Sequence, residues 1–218
     1  MRNSLANFRS ADEVSHKGHV LVVDDEVSIL NVLQEYLILS GYLCSTFGSA
    51  TALCEWLDQG GELATPVCLL CDLAMPTMTG LTLQQRLQSK PEIAVVMMSG
   101  AASNSEVVQA FRAGALDFLL KPLDDELLFS VLERALASSR TTIRRRERQA
   151  HFGARVALLT SRELATLRLV AKGKLNREIA DQFGIALRTV KLYRQRGFEK
   201  LGLELNADLV RLYDDDLL

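Results

Sequence analysis

Two hydrophobic rhythms divide the chain. Through the first half, short continuous apolar runs alternate with stretches whose apolar positions recur every three or four residues. Val20-Leu21-Val22-Val23 reads as a strand, and Val27 to Ser40 carries Ile29, Leu30, Leu33, Tyr36 and Leu37 on one helical face until Gly41 ends it. The alternation continues with a strand at Tyr42 to Phe47, a helix around Ala50 to Leu57, a strand at Val67 to Cys71 and a helix after Gly80. It closes with a strand at Ala94 to Met98, a helix near Asn104 to Ala113, a strand at Leu116 to Leu120 and a helix from Asp124. Five βα units with continuously apolar strands predict a doubly wound five-stranded parallel sheet covered on both faces. In such sheets ligands bind beyond the carboxyl ends of the strands, where the strand order reverses.

The second half carries no strand signal. Residues 138–156 are polar and basic, with Arg140, Arg144, Arg145, Arg146, Arg148 and Arg155 and no Gly or Pro before Gly153, so the preceding helix can continue through them as a linker. Composition leaves open whether this linker acts as a rigid helix or as a tether that touches phosphate. Thr160-Ser161-Arg162-Glu163 is a capping box that opens a helix with Leu164, Leu167 and Val170 on one face, closed by Gly173. A helix at Asn176 to Phe183 ends in Gly184, a longer one runs from about Ala186 to Leu201, and a last one covers Asn206 to Tyr213. Two helices joined by a short Gly-containing turn lay the second helix in the DNA major groove. The expected layout is an N-terminal extension at 1–17, an α/β domain at 18–137, the linker at 138–156 and a small all-α helix-turn-helix domain at 157–218.

Composition agrees with two folded domains: 218 residues, 48% hydrophobic and 24% charged, with Gly 13 and Pro 4, which excludes disordered and low-complexity classes. The net charge of -2 conceals an asymmetry. Residues 1–137 hold 8 Lys and Arg against 17 Asp and Glu, and residues 138–218 hold 17 against 10. Solvated surface charge accounts for this by itself, and the functional reading is a cation for the first half and a polyanion for the second, which motifs must decide. Cys44, Cys54, Cys68 and Cys71 lie among apolar residues. Cys68 and Cys71 sit three apart on a strand, so they point to opposite faces and cannot chelate one ion. No apolar run approaches the roughly 18 residues that span a bilayer, and Met1 to His16 is broken by Arg2, Asn3, Asn7, Arg9, Asp12 and Glu13. A cytoplasmic protein without a membrane partner is expected.

Chemistry concentrates at the strand ends. Asp24 and Asp25 follow the first strand and Asp72 the third, and the usual strand order sets those two strands side by side. Three converging acids repel one another unless a cation joins them, and hard oxygen donors suit Mg2+, with Mn2+ as the alternative. Ser99 ends the fourth strand and Lys121, before Pro122, ends the fifth. A hydroxyl and an ammonium opposite such a metal are what an incoming phosphoryl group needs. Asp72 is the expected nucleophile, with Asp24, Asp25 and the Ala74 backbone carbonyl helping to hold the metal. The plainer reading of Asp24 and Asp25 is helix-capping charge, which does not call for Ser99 and Lys121 as well.

Val22-Val23-Asp24-Asp25-Glu26, Asp72-x-x-Met75-Pro76-x-x-x-Gly80, Ser99-Gly100-Ala101 and Lys121-Pro122 resemble the receiver domain of bacterial two-component response regulators across residues 18–137. The resemblance implies a flavodoxin-like sheet, phosphoryl transfer from a sensor histidine kinase to Asp72, and a cis peptide before Pro122. It further implies a switch in which Ser99 turns toward the phosphoryl group and Phe118 moves inward, although ordinary core packing explains Phe118 equally well.

The C-terminal half resembles the LuxR-type helix-turn-helix, through Leu159-Thr160-x-Arg162-Glu163, Asn176-Arg177-Glu178-Ile179-Ala180, Gly184-Ile185, Arg188-Thr189-Val190-Lys191 and Lys200-Leu201-Gly202. The whole layout is similar to the FixJ/NarL class of regulators. That resemblance makes the helix beginning near Leu187 the recognition helix. Arg188, Thr189, Lys191, Tyr193, Arg194 and Arg196 become candidates for phosphate and base contacts, with Lys174 and Asn176 nearer the DNA backbone. Three positions depart from the pattern. Ala186 replaces a small hydroxyl cap, at a loss of about 1 kcal/mol; Tyr193 stands where histidine is common; and Gly197 costs about 1 kcal/mol relative to Ala, so the helix is expected to bend or end early.

The resulting expectation is a DNA-binding transcriptional regulator. Phosphorylation of Asp72 would bias the face made by the fourth helix, fifth strand and fifth helix toward a homodimer that places two recognition helices on promoter half-sites, with RNA polymerase as a further partner. A regulator that binds DNA without phosphorylation is the alternative. An aspartyl-phosphate phosphatase fits less well, because the position two residues after the nucleophile is Ala74 and supplies no general acid. Phosphoryl uptake with room for self-dephosphorylation, rather than dedicated enzyme activity, is expected, and neither Ala74 nor Ala101 is expected to position the attacking water.

Overall fold

The computed structural model describes residues 16–101, 103–214 and 218. Most of the N-terminal extension expected at 1–17, from 1 to 15, lies outside the described residues. The chain divides into two compact units, one ending at Ile143 and the other running Arg144–Leu218. No described helix is long and apolar enough to cross a membrane.

In the first unit β1 (His19–Val23), β2 (Leu43–Phe47), β3 (Val67–Asp72), β4 (Ile93–Ser99) and β5 (Asp117–Leu120) form one parallel sheet in the order β2-β1-β3-β4-β5. Helices α1 (Val27–Leu39), α2 (Ala50–Asp58), α3 (Gly80–Arg86), α4 (Asn104–Arg112) and α5 (Asp125–Val156) follow the strands in turn. The inner strands β1, β3 and β4 are largely apolar because each faces a core on both sides, whereas the edge strands β2 and β5 carry polar residues and are partly exposed. Val20, Val22, Cys68, Leu70, Val96 and Met98 pack with Leu33 and Leu37 of α1 and with Leu128 and Leu132 of α5. Leu21, Val23, Leu69, Cys71, Val95 and Met97 pack with Leu53 of α2, Leu83 of α3 and Ala110 of α4. Cys68 and Cys71 therefore belong to different cores, as a spacing of three on a strand requires. Burial pushes the Cys44 thiol up to about 11 and raises those of Cys68 and Cys71 as well. These are packing residues with no thiolate character at neutral pH.

Ser139 is a polar anchor that no sequence pattern flags. Its buried hydroxyl donates to the Glu92 carbonyl at 2.7 Å and accepts from Val67 N–H at 2.9 Å, tying α5 to the start of β3. Ser139→Ala removes the partner of a buried N–H and is expected to lower unfolding stability by about 1–3 kcal/mol. Urea titration followed by the fluorescence of Trp56, the single tryptophan and a residue packed against Phe47, checks this.

The second unit packs α6 (Ser161–Ala171), α7 (Asn176–Phe183), α8 (Leu187–Leu201) and α9 (Asn206–Asp214) around Leu167, Ile179, Val190, Leu201 and Leu209. Thr160 and Glu163 form the expected capping box at the start of α6. Gly184 takes φ 63 to turn the chain from α7 toward α8, a conformation that only glycine adopts without strain.

Helix α8 does not end early at Gly197. It runs unbroken to Leu201, and a Cβ at Gly197 would stand 2.8 Å from Leu167 Cδ1, so the glycine lets α8 approach α6 closely. The loss of helix propensity is offset by that packing. At the other end Ala186 makes no side-chain cap, as its missing hydroxyl requires.

Candidate functional site

The strand order places the switch point between β1 and β3, and the register Val23↔Cys71 carries the chain on each side to an acid. Asp24, just past β1, is 0% exposed, and Asp72, the last residue of β3, is 5% exposed. Two carboxylates this buried cannot stand together without a counter-charge. Lys121, just past β5, supplies one: its Nζ lies 2.7 Å from Asp24 Oδ2 and 2.6 Å from Asp72 Oδ1, with Glu26 Oε1 at 4.0 Å. Burial alone would lower the Lys121 pKa, but hydrogen bonds and charges from Asp24 and Asp72 outweigh it and hold the ammonium above the ordinary lysine range. The remaining oxygens are also directed, since Glu26 N–H donates to Asp24 Oδ1 at 3.0 Å and Ala74 N–H to Asp72 Oδ2 at 2.9 Å. The Lys121-Pro122 peptide is cis, as the receiver resemblance implies, and Thr65-Pro66 is a second cis bond that the sequence did not signal.

The three acids do not converge equally. Asp24 and Asp72 meet at Lys121, whereas Asp25 is exposed, and among the described residues no three acidic, His or Cys side chains gather closely enough to form a metal centre. The ammonium takes the place between the two inner carboxylates. The donor set still fits a hard cation, because two buried carboxylates and the neighbouring Asp25 outnumber the single lysine that balances them.

Ser99, the last residue of β4, is buried and turned on its own loop. Its hydroxyl donates to the Ala101 carbonyl at 2.8 Å and accepts from Ala101 N–H at 3.3 Å. Phe118 on β5 is half-buried against the core that holds Leu83 and Ala110.

On α8 the side chains expected at DNA separate into two groups. Arg188, Lys191 and Arg196 are exposed, and Thr189 and Tyr193 are half-exposed. Arg194 is half-buried and engaged: Nη1 donates to Asn176 Oδ1 at 3.2 Å and Nη2 to Asn206 Oδ1 at 2.8 Å. Lys174 is exposed and pairs with Glu178 at 3.1 Å, while Leu175 N–H donates to the same carboxylate at 2.7 Å and draws its pKa down. Sequence reasoning missed Asn206 and Arg155. Asn206 opens a helix and looked like ordinary helix-start chemistry, while Arg155 Nη1 donates to the Leu201 carbonyl at 2.7 Å and satisfies the end of α8. No local signal marks Arg155, because the carbonyl it reaches lies 46 positions further along the chain.

The receiver domain of response regulators matches residues 20–133, and the luxR family of bacterial regulatory proteins matches residues 157–213. The C4-dicarboxylate transport transcriptional regulatory protein DctR of Rhodobacter capsulatus is 34% identical over 88% of this chain and 98% of its own length. The transcriptional regulatory protein FixJ of Azorhizobium caulinodans is 32% identical over 88% of this chain and 90% of its own. Among solved structures, the response regulator StyR superposes with a TM-score of 0.71 at 32% identity, covering 90% of this chain and 98% of that one. Full-length FixJ from B. japonicum gives 0.56 at 28% identity, covering 94% and 100%. The chain belongs to the two-component response regulators that join a receiver domain to a LuxR-type DNA-binding domain. It is a transcriptional regulator of a two-component system, with a histidine kinase and DNA as its classes of partner. Receiver domains generally bind Mg2+ at the phosphorylation site.

Proposed function

We propose that Asp72 is the phosphoacceptor and that its phosphorylation controls dimerisation and promoter binding. The observation that carries this reading is the Asp72 carboxylate at the mouth of β3, with Lys121 Nζ 2.6 Å from Oδ1 and Ala74 N–H 2.9 Å from Oδ2. A carboxylate oxygen attacks phosphorus as the bond from phosphorus to the kinase histidine nitrogen breaks, leaving an acyl phosphate on Asp72. Lys121 follows the new negative charge onto a phosphoryl oxygen. Ser99 releases the Ala101 carbonyl and donates a hydrogen bond from its hydroxyl to another phosphoryl oxygen, and Phe118 turns into the space that Ser99 vacates. Asp24, Asp25, Asp72 and the Ala74 carbonyl would hold Mg2+, or Mn2+ in its place, which neutralises phosphoryl charge when bound.

The dimer forms on α4, β5 and α5, and sets two copies of α8 on paired half-sites. Arg188, Thr189, Lys191, Tyr193 and Arg196 are assigned to DNA phosphates and base edges, Lys174 and Asn176 to the flanking backbone, and Arg194 to the same surface. The protein acts in the cytoplasm, where promoter DNA and RNA polymerase are met. Ala74 and Ala101 offer no side chain that positions the water for self-hydrolysis of the acyl phosphate. Residues 138–156 act as the helical linker.

Light scattering and intact-mass spectrometry, with and without a small phosphodonor and Mg2+, test the reading on wild type and Asp72→Asn. The expected result is one added phosphoryl group and a monomer-to-dimer shift in wild type alone. An unphosphorylated wild type that still binds promoter DNA would favour the phosphorylation-independent regulator. Phosphorylation without a change in mass of the assembly would retain the chemistry and reject the dimer switch.

A further inference from the structure

Arg194 differs from the other cations of α8. Its guanidinium reaches two helices at once, through Asn176 Oδ1 at the first residue of α7 and Asn206 Oδ1 at the first residue of α9. The same group lies 5.7 Å from the centre of the Phe198 ring, one helical turn further along α8. Arg194, Asn176, Asn206 and Phe198 are among the residues that line one groove of about 770 Å³. Among the described residues no comparable set of acceptors reaches Arg188, Lys191 or Arg196, which stand exposed.

We propose that Arg194 is a positioning residue for DNA recognition: its planar fork clamps α8 to the starts of α7 and α9 and so fixes the angle at which the recognition helix is presented. This rests on the DNA-binding reading above and reassigns Arg194, together with the side-chain oxygen of Asn176, from direct phosphate contact to helix placement. A guanidinium presents five donors in a rigid plane, which suits two acceptors arriving from different helices, and it stacks on an aromatic face while doing so. To reach a phosphate it would have to surrender both side-chain bonds and the ring contact. A lysine ammonium at this position keeps the charge but has neither the flat fork nor the reach to hold two amide oxygens.

Two charge-conserving variants separate a clamp from a phosphate contact. The probe is the duplex that wild-type protein, treated with phosphodonor and Mg2+, enriches from a randomised 30-base-pair library, compared with a scrambled duplex of the same composition. Asn206→Ala and Arg194→Lys are each expected to weaken binding to the enriched duplex by about tenfold, the scale of losing a hydrogen bond to a charged group. Binding to the scrambled duplex should stay within about twofold, and the slope of log affinity against log salt should be unchanged, because the number of phosphate-neutralising charges is the same. General unfolding would lower both duplexes together and overturn the proposal. Affinity retained in Arg194→Lys, with Asn206→Ala at or above wild type, would mean that Arg194 grips phosphate and would also overturn it. A wild type that enriches no duplex overturns the proposal together with the DNA-binding reading beneath it, which distinguishes that failure from the other two.

Discussion

Gly80→Ala is expected to lower the stability of the first unit by about 1–2 kcal/mol and to slow phosphoryl uptake at Asp72, although alanine is the better helix former. A Cβ at Gly80 would meet the Asp72 carbonyl oxygen at 2.5 Å, Cys71 Sγ at 3.2 Å and Leu73 Cα at 3.2 Å. Two of these neighbours are backbone atoms of the segment that leaves β3, and the third is a fully buried thiol, so no flexible side-chain end can yield. Gly80 N–H also donates to the Leu73 carbonyl at 3.0 Å, which pins α3 against this loop. Relief therefore has to come from moving Asp72 or the first turn of α3. Overpacking of this kind costs about 1–3 kcal/mol, against a propensity gain of about 1 kcal/mol for alanine in a helix interior, which is smaller at a first turn. Trp56 fluorescence in urea reads the stability, and the rate of mass gain from a phosphodonor reads the site. A variant more stable than wild type would show that the close approach is not maintained in solution.

Glu163→Ala is expected to cost the second unit about 3 kcal/mol, with Glu163→Gln falling between it and wild type. Glu163 is 2% exposed, and its Oε2 accepts from Lys200 Nζ at 2.6 Å and from Thr160 N–H at 2.8 Å. One carboxylate thus closes the capping box of α6 and anchors the last turn of α8. Removing one partner of a buried pair costs about 3–5 kcal/mol, and the partial exposure of Lys200, at 33% of its side chain, moves the estimate to the lower end. Glutamine keeps an oxygen for Thr160 N–H and gives up the charge. Hydrogen exchange at the amides of α6 and α8 in the full chain reports the loss.

The same pair gives a pH dependence. Burial would raise the Glu163 pKa, but Lys200 and the two Thr160 hydrogen bonds outweigh it and hold the carboxyl below its ordinary 4.5. The unfolded chain therefore binds the proton first, so the stabilisation is fully present above the unfolded value of 4.5 and is lost as pH falls through the lower folded value. Protection of α6 and α8 should decline in that acid window in wild type and decline less steeply in Glu163→Gln. His19 adds a second, higher window: burial and the neighbouring His16 charge lower its pKa from 6.5, so its contribution is complete above 6.5 and declines below it.

Much of the molecule was legible before folding because its signals are local. A continuously apolar strand has to be buried on both faces, and the run Val67 to Cys71 duly divides its side chains between two cores. Thr160 and Glu163 cap α6 within one turn of chain, so their spacing alone predicts the bond. Acids after β1 and at the end of β3 and a lysine after β5 meet because a parallel sheet gathers the carboxyl ends of its strands on one side whatever the loops do.

What the chain could not announce are the distances between elements. Gly197 reads as a weak point in a helix until Leu167 is placed against it, and then it is the residue that permits the contact. Arg194 reads as one more cation on a DNA-facing helix until α7 and α9 bring it two amide oxygens. Asp25 reads as the equal of Asp24, yet one is exposed and the other fully enclosed with Lys121. The sequence by itself determined the order of elements, the two kinds of domain and the residue types at the strand ends, since these follow from periodicity and spacing along the chain. Only the tertiary structure decided which charges neutralise one another and which glycines are contacts, because those outcomes depend on approaches of a few ångströms between segments far apart in sequence.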